Sequence, residues 1–470
     1  MFKNLLLFAF VAASLNANAG NKIRIYFNHP VNTSVSTGVN AVYLPGVSSA
    51  DTIVAYIDRA KYSIDIAQFE YIQDASYGAY ANIAAAVDSA YARGVTVRWI
   101  FDSSISNSGM SVLDPAIHTL TRPGGSGIMH NKFIIIDANS ADPNDPVVWS
   151  GSYDWTSHMM YAEYNNMLFL QDQALARAYT AEFNQMWGSS TAIPDATAAK
   201  FGAAKSDLGA HIFHIDGHLV ELYFSPSDGT NNHIQDAISS ANTDLYFGMY
   251  TFTYTANANM IVDKFHTGVY VSGIDDNFSN PYTPYDLFTT YLGSHFKVYS
   301  GSGVYHSKEL IVDPSDTCSD PLVLTGSHNW SLSADNNNDE NTLIIHSDTI
   351  ANMYYQSFYA DFISLGGTLS SVPGCGAVVS VKNVEENNIS IFPNPTNGNI
   401  TVRYELQAFQ NVSIDLYDIF GQRIQTAANI DPQQRGEHSY QLSVNQPGVY
   451  YLKMTIGGRH HTQKIIVTTP

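Results

Sequence analysis

The chain has 470 residues, of which 45% are hydrophobic and 12% aromatic, enough apolar material to rule out a mainly disordered protein. Its 22 Lys plus Arg face 42 Asp plus Glu, a formal charge of −20, and only 14 of the basic residues fall between positions 20 and 371. A protein that neutralises many phosphates needs a basic stripe, so extensive duplex nucleic-acid binding is excluded, while a pocket for a single phosphate is not.

Residues 1–19 read as a signal peptide. Lys3 supplies the positive start, Leu5 to Leu15 the short apolar run, and Ala17-Asn18-Ala19 the small-residue cleavage signature before Gly20. No later apolar stretch approaches the roughly 20 residues of a membrane-spanning helix. From Asp51, a candidate N-cap, Ile53, Ile57 and Ala60 keep helical spacing, and Tyr62 to Ile66 alternates as a strand. A helix is expected from about Ala75 to Gly94, then a strand from Val95 to Phe101.

The second half repeats this order. His233 to Ala241 reads as a helix, Asp244 to Thr251 as a strand, Met260 to Thr267 as a helix, and Val269 to Val271 as the start of another strand. Alternating helix and strand in both halves predicts an α/β sandwich in each. The expected boundaries are 20–205 for the first domain and 206–371 for the second. Residues 372–388, with Pro373, Gly374 and Gly376, read as a linker. From 389 to 470, short strands near Ile400, Val412, Tyr440, Tyr450 and Lys464 predict a small β-sandwich. Cys318 and Cys375 are the only cysteines, and the sequence leaves a bridge and two free thiols equally open.

The chemistry lies in two matching motifs. His130-Asn131-Lys132 runs on to Asp137, and His306-Ser307-Lys308 to Asp313, both in the pattern H-x-K-x-x-x-x-D. A strand period of two puts each His and Lys on one face, with Phe133 and Ile135 turned into a core. A His and a Lys side by side suit a phosphate: one attacks, the other offsets charge. Two imidazoles can divide the roles of nucleophile and general acid near neutral pH. Each motif has a sequel, Gly151-Ser152-Tyr153-Asp154-Trp155-Thr156 and Gly326-Ser327-His328-Asn329-Trp330-Ser331, whose hydroxyls and Asn329 amide can donate to phosphate oxygens. Further on, Asn165-Asn166 corresponds to Glu340-Asn341.

Over residues 40–370 the sequence resembles the phospholipase D superfamily. The resemblance implies two halves packed with pseudo-twofold symmetry around one active site. One histidine becomes a phosphohistidine; the other protonates the leaving alcohol and then activates water. Lys132 and Lys308, with Ser152, Ser327 and Asn329, would hold the phosphate, and Asp137 and Asp313 would orient and support. Carried over, Glu340 meets His130 and Asn165 meets His306, which favours His130 as nucleophile. No metal and no cofactor are implied. One departure stands out: where the family commonly has Asn, the first half has Asp154, which would repel a phosphate unless protonated or turned away.

Other features read as ordinary structure. His211, His214 and His218 lie on an alternating segment that separates His211 from His214, against a metal site. Asp335, Asn337, Asp339 and Glu340 lack the turn glycine of a calcium loop. Pro123 to Gly127 lacks the Lys of a P-loop. The aromatic stretches Met249 to Tyr254 and Phe278 to Tyr291 read as core and loop packing rather than lipid contact.

The tail, with Phe392-Pro393-Asn394-Pro395, Leu416 to Gly421, Gln446 to Tyr451 and a final Lys464-Ile465-Ile466-Val467, resembles the C-terminal sorting domain of type IX secretion in Bacteroidetes. The expected function is that of a secreted or cell-surface phosphodiesterase of phospholipase D type, hydrolysing phospholipid headgroup esters to phosphatidic acid. The alternative is a metal-independent nuclease of the same superfamily. The expected partners are a phospholipid or other phosphodiester, a transient contact with a membrane surface, and the type IX secretion machinery.

Overall fold

The computed structural model describes residues 22–72, 81–276, 284–370, 389–406, 410–418, 423–456 and 459–468. The expected signal peptide, the linker at 372–388 and Cys375 lie outside them. The chain divides into two compact units, Met1–Ala377 and Val378–Pro470.

The first unit holds two large sheets. One contains β1 (Ile23–Phe27), β2 (Ser63–Gln68), β3 (Thr96–Phe101), β4 (His118–Thr121), β5 (Lys132–Ile136), β6 (Val147–Gly151) and β7 (Asn166–Leu170), in the order β1-β7-β6-β5-β2-β3-β4. The other contains β8 (Ile212–Ile215), β9 (His218–Ser225), β10 (Asp244–Met249), β11 (Tyr270–Asp275), β12 (Phe296–Val298), β13 (Lys308–Val312), β14 (Leu322–Gly326) and β15 (Glu340–His346), in the order β12-β11-β10-β13-β14-β15-β9-β8. Position by position the two orders coincide, with β8 as an addition at the edge. In both sheets the motif strand, β5 or β13, lies between a strand that runs antiparallel before it and one that runs antiparallel after it.

Three apolar clusters account for the layering. Helices Ser48–Ile57 and Ala81–Ala92 pack on the outer face of the first sheet, and Thr230–Ser240 and Thr255–His266 on the outer face of the second. The longest helices among the described residues, Gln173–Trp187 and Asp348–Ser364, lie between the sheets, where Tyr179, Phe183, Tyr354 and Phe358 share one core with Phe133, Leu168, Ile311 and Leu343. Both faces of each motif strand are therefore covered, and β5 and β13 are buried throughout.

Two helices begin earlier than their apolar spacing indicates. The one expected from His233 starts at Thr230, and the one expected from Met260 starts at Thr255. Buried polar contacts explain both: Asn257 Nδ2 donates to Asn231 Oδ1 at 2.8 Å and Gln235 Nε2 to Asn257 Oδ1 at 3.0 Å. Met249, Phe252 and Phe288 are core residues, while Tyr291 is exposed. Cys318 is disulfide-bonded.

In the second unit, β16 (Ser390–Phe392), β17 (Asn399–Leu406) and β20 (Gly436–Ser443) form one sheet. The other is β19-β18-β21-β22, from β18 (Gln410–Tyr417), β19 (Arg423–Gln433), β21 (Gly448–Ile456) and β22 (Arg459–Val467). Alternate residues such as Ile400, Val402, Ile414, Leu416, Leu452 and Met454 face a common core, which makes it a small β-sandwich.

Candidate active site

Each motif enters its strand through a close approach to the other half. Gly127 and Gly303, each three residues before a motif histidine, have φ of 85° and 91°. A Cβ on Gly127 would stand 2.2 Å from the Asn337 carbonyl oxygen, and one on Gly303 2.2 Å from that of Ala162. Only glycine fits there. The main chains then pair across the halves. His130 N–H donates to Asp339 O at 2.9 Å, Asp339 N–H to Ile128 O at 2.9 Å, and Tyr164 N–H to Val304 O at 3.1 Å.

These crossings deliver each histidine to a side chain of the opposite half. His130 Nδ1 lies 2.8 Å from Glu340 Oε2, and His306 Nδ1 lies 2.9 Å from Asn165 Oδ1. Ser327 Oγ donates to the same Glu340 oxygen at 2.7 Å, and Ser152 Oγ to Asn165 Oδ1 at 2.9 Å. Both hydroxyls are thus engaged in orienting the histidine partners, which departs from the expectation that they hold phosphate. Because Ser152 fixes Asn165 Oδ1 as an acceptor, His306 Nδ1 must donate, and Nε2 is left as the reactive ring atom. The carboxylate does the same for His130.

The lysines follow the same symmetry. Lys132 Nζ donates to His130 O at 3.1 Å and Lys308 Nζ to His306 O at 2.6 Å. Lys132 lies over the ring of Phe69 at 5.0 Å and Lys308 over Tyr250 at 5.1 Å, and the same rings meet His130 and His306. The expected site therefore gathers His130, Lys132, His306, Lys308, Glu340 and Asn165, all buried.

The environments of the two histidines differ. Burial, then Lys308, Lys132 and His130, hold the His306 pKa well below the usual value. Burial and Lys132 push Lys308 well down, against Asp154, Glu340 and Glu163. Burial opposes ionisation of Glu340, but His130, His328 and Lys132 outweigh it and take its carboxyl down to about 2. At neutral pH Glu340 is an anion and His306 in the resting site is neutral.

Asp154 does not face an incoming anion freely. Its Oδ2 lies 3.3 Å from Lys132 Nζ, and Gln68 Nε2 donates to Oδ1 at 3.1 Å. Its counterpart Asn329 has an Oδ1 shielded from solvent and without a hydrogen-bond partner among the described residues.

Asp137 and Asp313 sit apart, at the far ends of their strands, seven residues beyond the histidines, about 23 Å along the chain at ~3.3 Å per residue. Asp137 accepts from the amides of Lys61, Tyr62 and Ser63 at 2.7–2.9 Å, and Asp313 from those of Asn242, Thr243 and Asp244 at 2.8–3.1 Å. Each pins the start of the neighbouring strand. Both adopt positive φ, 53° and 49°, which a short polar side chain tolerates.

Sequence reasoning missed several neighbours. Asn338 Nδ2 donates to Glu340 Oε1 at 3.0 Å, and Asn28 Oδ1 accepts the Asn165 N–H at 2.8 Å. Phe69 and Tyr250 could have been found by aligning the ends of β2 and β10. Asn28, distant in sequence, left no such signal. Away from the site, His211 gathers with Asp207 and Asp228 rather than with His214 or His218.

Comparison with known proteins places this geometry. Residues 390–468 match the Secretion system C-terminal sorting domain, so the β-sandwich is a type IX sorting domain. The Mitochondrial cardiolipin hydrolase of Drosophila melanogaster is 30% identical over 151 residues, 29% of this chain and 57% of that protein. A Phospholipase D of Rickettsia bellii is 26% identical over 150 residues, 32% of this chain and 71% of that one. The chain thus spans less than two thirds of the length of the first of these relatives. A phosphatidylserine synthase of Haemophilus influenzae aligns over 75% of this chain and 89% of its own, with 14% identity and a TM-score of 0.48. Residues 53–187 and 234–362, more than half of the chain, match the family described as Cardiolipin synthase, PLD-like domain, and the chain belongs to that phospholipase D-like family.

Proposed function

We infer that the protein is an exported phosphodiesterase of phospholipase D type that hydrolyses phospholipid headgroup esters to phosphatidic acid. The observation that carries this is the crossed pair of histidines, each oriented through Nδ1 by the other half and each beside a buried lysine. His130 Nε2 attacks phosphorus while the bond to the headgroup oxygen breaks, and His306 gives that oxygen its proton. His306 then takes a proton from water, whose oxygen attacks phosphorus and breaks the P–N bond, releasing phosphatidic acid and restoring His130. Lys132, Lys308 and Asn329 hold the phosphate; Glu340, Asn165, Ser152 and Ser327 hold the rings; Asp137 and Asp313 support the strands. Arrival of an anionic phosphodiester raises the pKa values of His306 and Lys308, so the acid acquires its proton as substrate binds.

In this reading residues 1–19 direct export and are removed, 20–205 and 206–371 are the two catalytic halves, 372–388 is a linker, and the tail engages the type IX machinery. Lipid is preferred to nucleic acid because a single headgroup phosphate needs few cations, and this chain has few. The test is a parallel assay, in excess EDTA, on phosphatidylcholine vesicles and on single- and double-stranded DNA. Release of choline and phosphatidic acid is expected, with DNA far slower. Faster cleavage of DNA would replace the lipid reading with the nuclease one.

A further inference from the structure

Strands β1 and β9 end in matching clamps. Phe27 pairs with Asn166 in the first sheet and Phe224 with Asn341 in the second, so the next residues, Asn28 and Ser225, are equivalent. Asn28 Nδ2 donates to the carbonyls of Met159 and Glu163 at 2.5 and 2.8 Å. Ser225 Oγ donates to that of Ala334 at 2.6 Å and lies 3.5 Å from that of Asn338. These carbonyls are equivalent too, since Met159 and Glu163 follow Gly151 at the distances at which Ala334 and Asn338 follow Gly326. In each half, one polar side chain thus ties the segment before the histidine's partner to the neighbouring strand.

Asn28 does more than its counterpart. Its Oδ1 accepts the Asn165 N–H at 2.8 Å. The Asn165 side chain turns Oδ1 to Ser152 and His306 and rests Nδ2 on Met159 Sδ at 3.4 Å. Asn28 therefore holds both the residue that carries this amide and the residue its nitrogen rests on. Glu340 is braced otherwise, by Asn338 Nδ2 donating to its carboxylate at 3.0 Å. Glu163, at the Asn338 position, makes no hydrogen bond to Asn165 among the described residues. Asn28 is in turn fixed through its neighbour. His29 is buried, its Nδ1 lies 3.1 Å from Asp361 Oδ1 on the inner helix Asp348–Ser364, and its ring meets that of Tyr164 at 4.7 Å.

The orientation of Asn165 matters unequally in the two chemical steps. As an acid, His306 carries both ring protons, and no choice of tautomer arises. As a base toward water, the ring is neutral and Nε2 must be bare, which requires the proton on Nδ1 and an acceptor facing it. Asn165 Oδ1, 2.9 Å away, is that acceptor. An amide turned the other way presents its NH2 to Nδ1, sends the proton to Nε2 and removes the base.

We propose that Asn28 is a positioning residue for the water-activating step: by clamping Met159 and Asn165 it keeps Asn165 Oδ1 on His306 Nδ1, and so keeps Nε2 of the neutral ring open to the proton of water. The inference rests on the two-step phospholipase reading and adds to it a residue far from both motifs in sequence, together with the step that this residue governs.

The experiment measures kcat and kcat/KM of the full-length protein on phosphatidylcholine in micelles of a neutral detergent. In a two-step reaction kcat/KM reports binding and formation of the covalent enzyme, whereas kcat also contains its hydrolysis. Asn28→Ala is expected to lower kcat about tenfold or more and kcat/KM no more than about threefold, so that KM falls together with kcat. Asn28→Asp has the size of the wild-type residue and keeps an acceptor for the Asn165 N–H, but its carboxylate cannot donate to the two carbonyls. It is expected to split the constants in the same direction, and it decides the matter should Asn28→Ala fail to fold. A folded variant in which both constants fall alike, or in which neither changes, overturns the role of Asn28 and leaves the phospholipase reading intact. A wild type that cleaves single-stranded DNA and not the lipid overturns the phospholipase reading, and the same two constants measured on DNA then decide Asn28.

Discussion

Glu340 Oε2 stands 2.8 Å from His130 Nδ1, whereas the oxygen at 2.9 Å from His306 Nδ1 is the amide oxygen of Asn165. One histidine is backed by an anion and the other by a neutral group, in a frame otherwise duplicated down to the serine behind each partner. In the proposed mechanism the duplication would make each histidine indispensable, and the difference would divide their labour.

Indispensability is the first expectation. His130→Ala removes the proposed nucleophile and His306→Ala the proposed acid, and each is expected to lower kcat/KM by at least ~10³, about 4 kcal/mol of barrier. Steady-state hydrolysis by the folded variants measures it. Near-normal turnover by either would mean that one half-site works alone.

The neutral partner has a consequence for pH. His306 must carry a proton to act as acid, and burial with Lys308, Lys132 and His130 holds its free-enzyme pKa well below the usual histidine value. The protonated fraction falls as pH rises, so kcat/KM is expected to fall with rising pH from an acidic optimum. Asn165→Asp places a carboxylate at His306 Nδ1, favours the charged ring, and should move the falling limb to higher pH. Activity at pH 7 should then rise about three- to tenfold if the acid step limits the rate. A profile that does not move in Asn165→Asp would remove His306 from the acid role.

The frame that delivers Glu340 is held by buried charge. Asp339 Oδ2 accepts from Arg122 at 2.8 Å, and its Oδ1 lies 3.1 Å from Lys205 Nζ and accepts the Gly202 amide at 2.7 Å. Asp339→Ala strips two buried cations of this partner and is expected to cost about 3–5 kcal/mol. Urea unfolding of the full-length protein reads that loss. An unchanged midpoint would mean that Glu182 and main-chain carbonyls suffice for Lys205 and Arg122.

What could be seen in the sequence was whatever is local or repeated. His130 and Lys132 are two residues apart, so a strand alone sets them on one face. The repeat aligned Glu340 with Asn165, and the resemblance to the phospholipase D superfamily then carried each to its histidine in the opposite half. Contacts between distant segments left no trace: Asn28 reaches Asn165 across 137 positions and Arg122 reaches Asp339 across 217. Nor did the helix starts, because Asn231 and Asn257 are buried through hydrogen bonds that interrupt the apolar spacing. Strand β19 escaped as well, since Arg423–Gln433 mixes Ala, Asp and Pro and lacks the alternation of its neighbours. Asp154 was visible as an oddity, but its ion pair with Lys132 needed the fold.

The proposed division of labour would be read directly from the proposed covalent intermediate. As an imidazole attacks phosphorus its ring becomes positive, and a carboxylate accepting the Nδ1 proton stabilises that charge, as Glu340 can for His130. In the proposed mechanism His306 has the opposite task. It must release a proton to the leaving oxygen, and the neutral Asn165 holds that proton less tightly than an anion would. The expected phosphoenzyme is therefore on His130. The measurement uses phospholipid labelled at phosphorus, a rapid denaturing quench during turnover, and mapping of the labelled peptide. Glu340→Gln should lower the rate at which label appears by about tenfold to a hundredfold, since an amide stabilises a developing cation far less than a carboxylate. Label on the peptide containing His306, with none on that containing His130, would reverse the assignment and make the Glu340-backed histidine the proton donor.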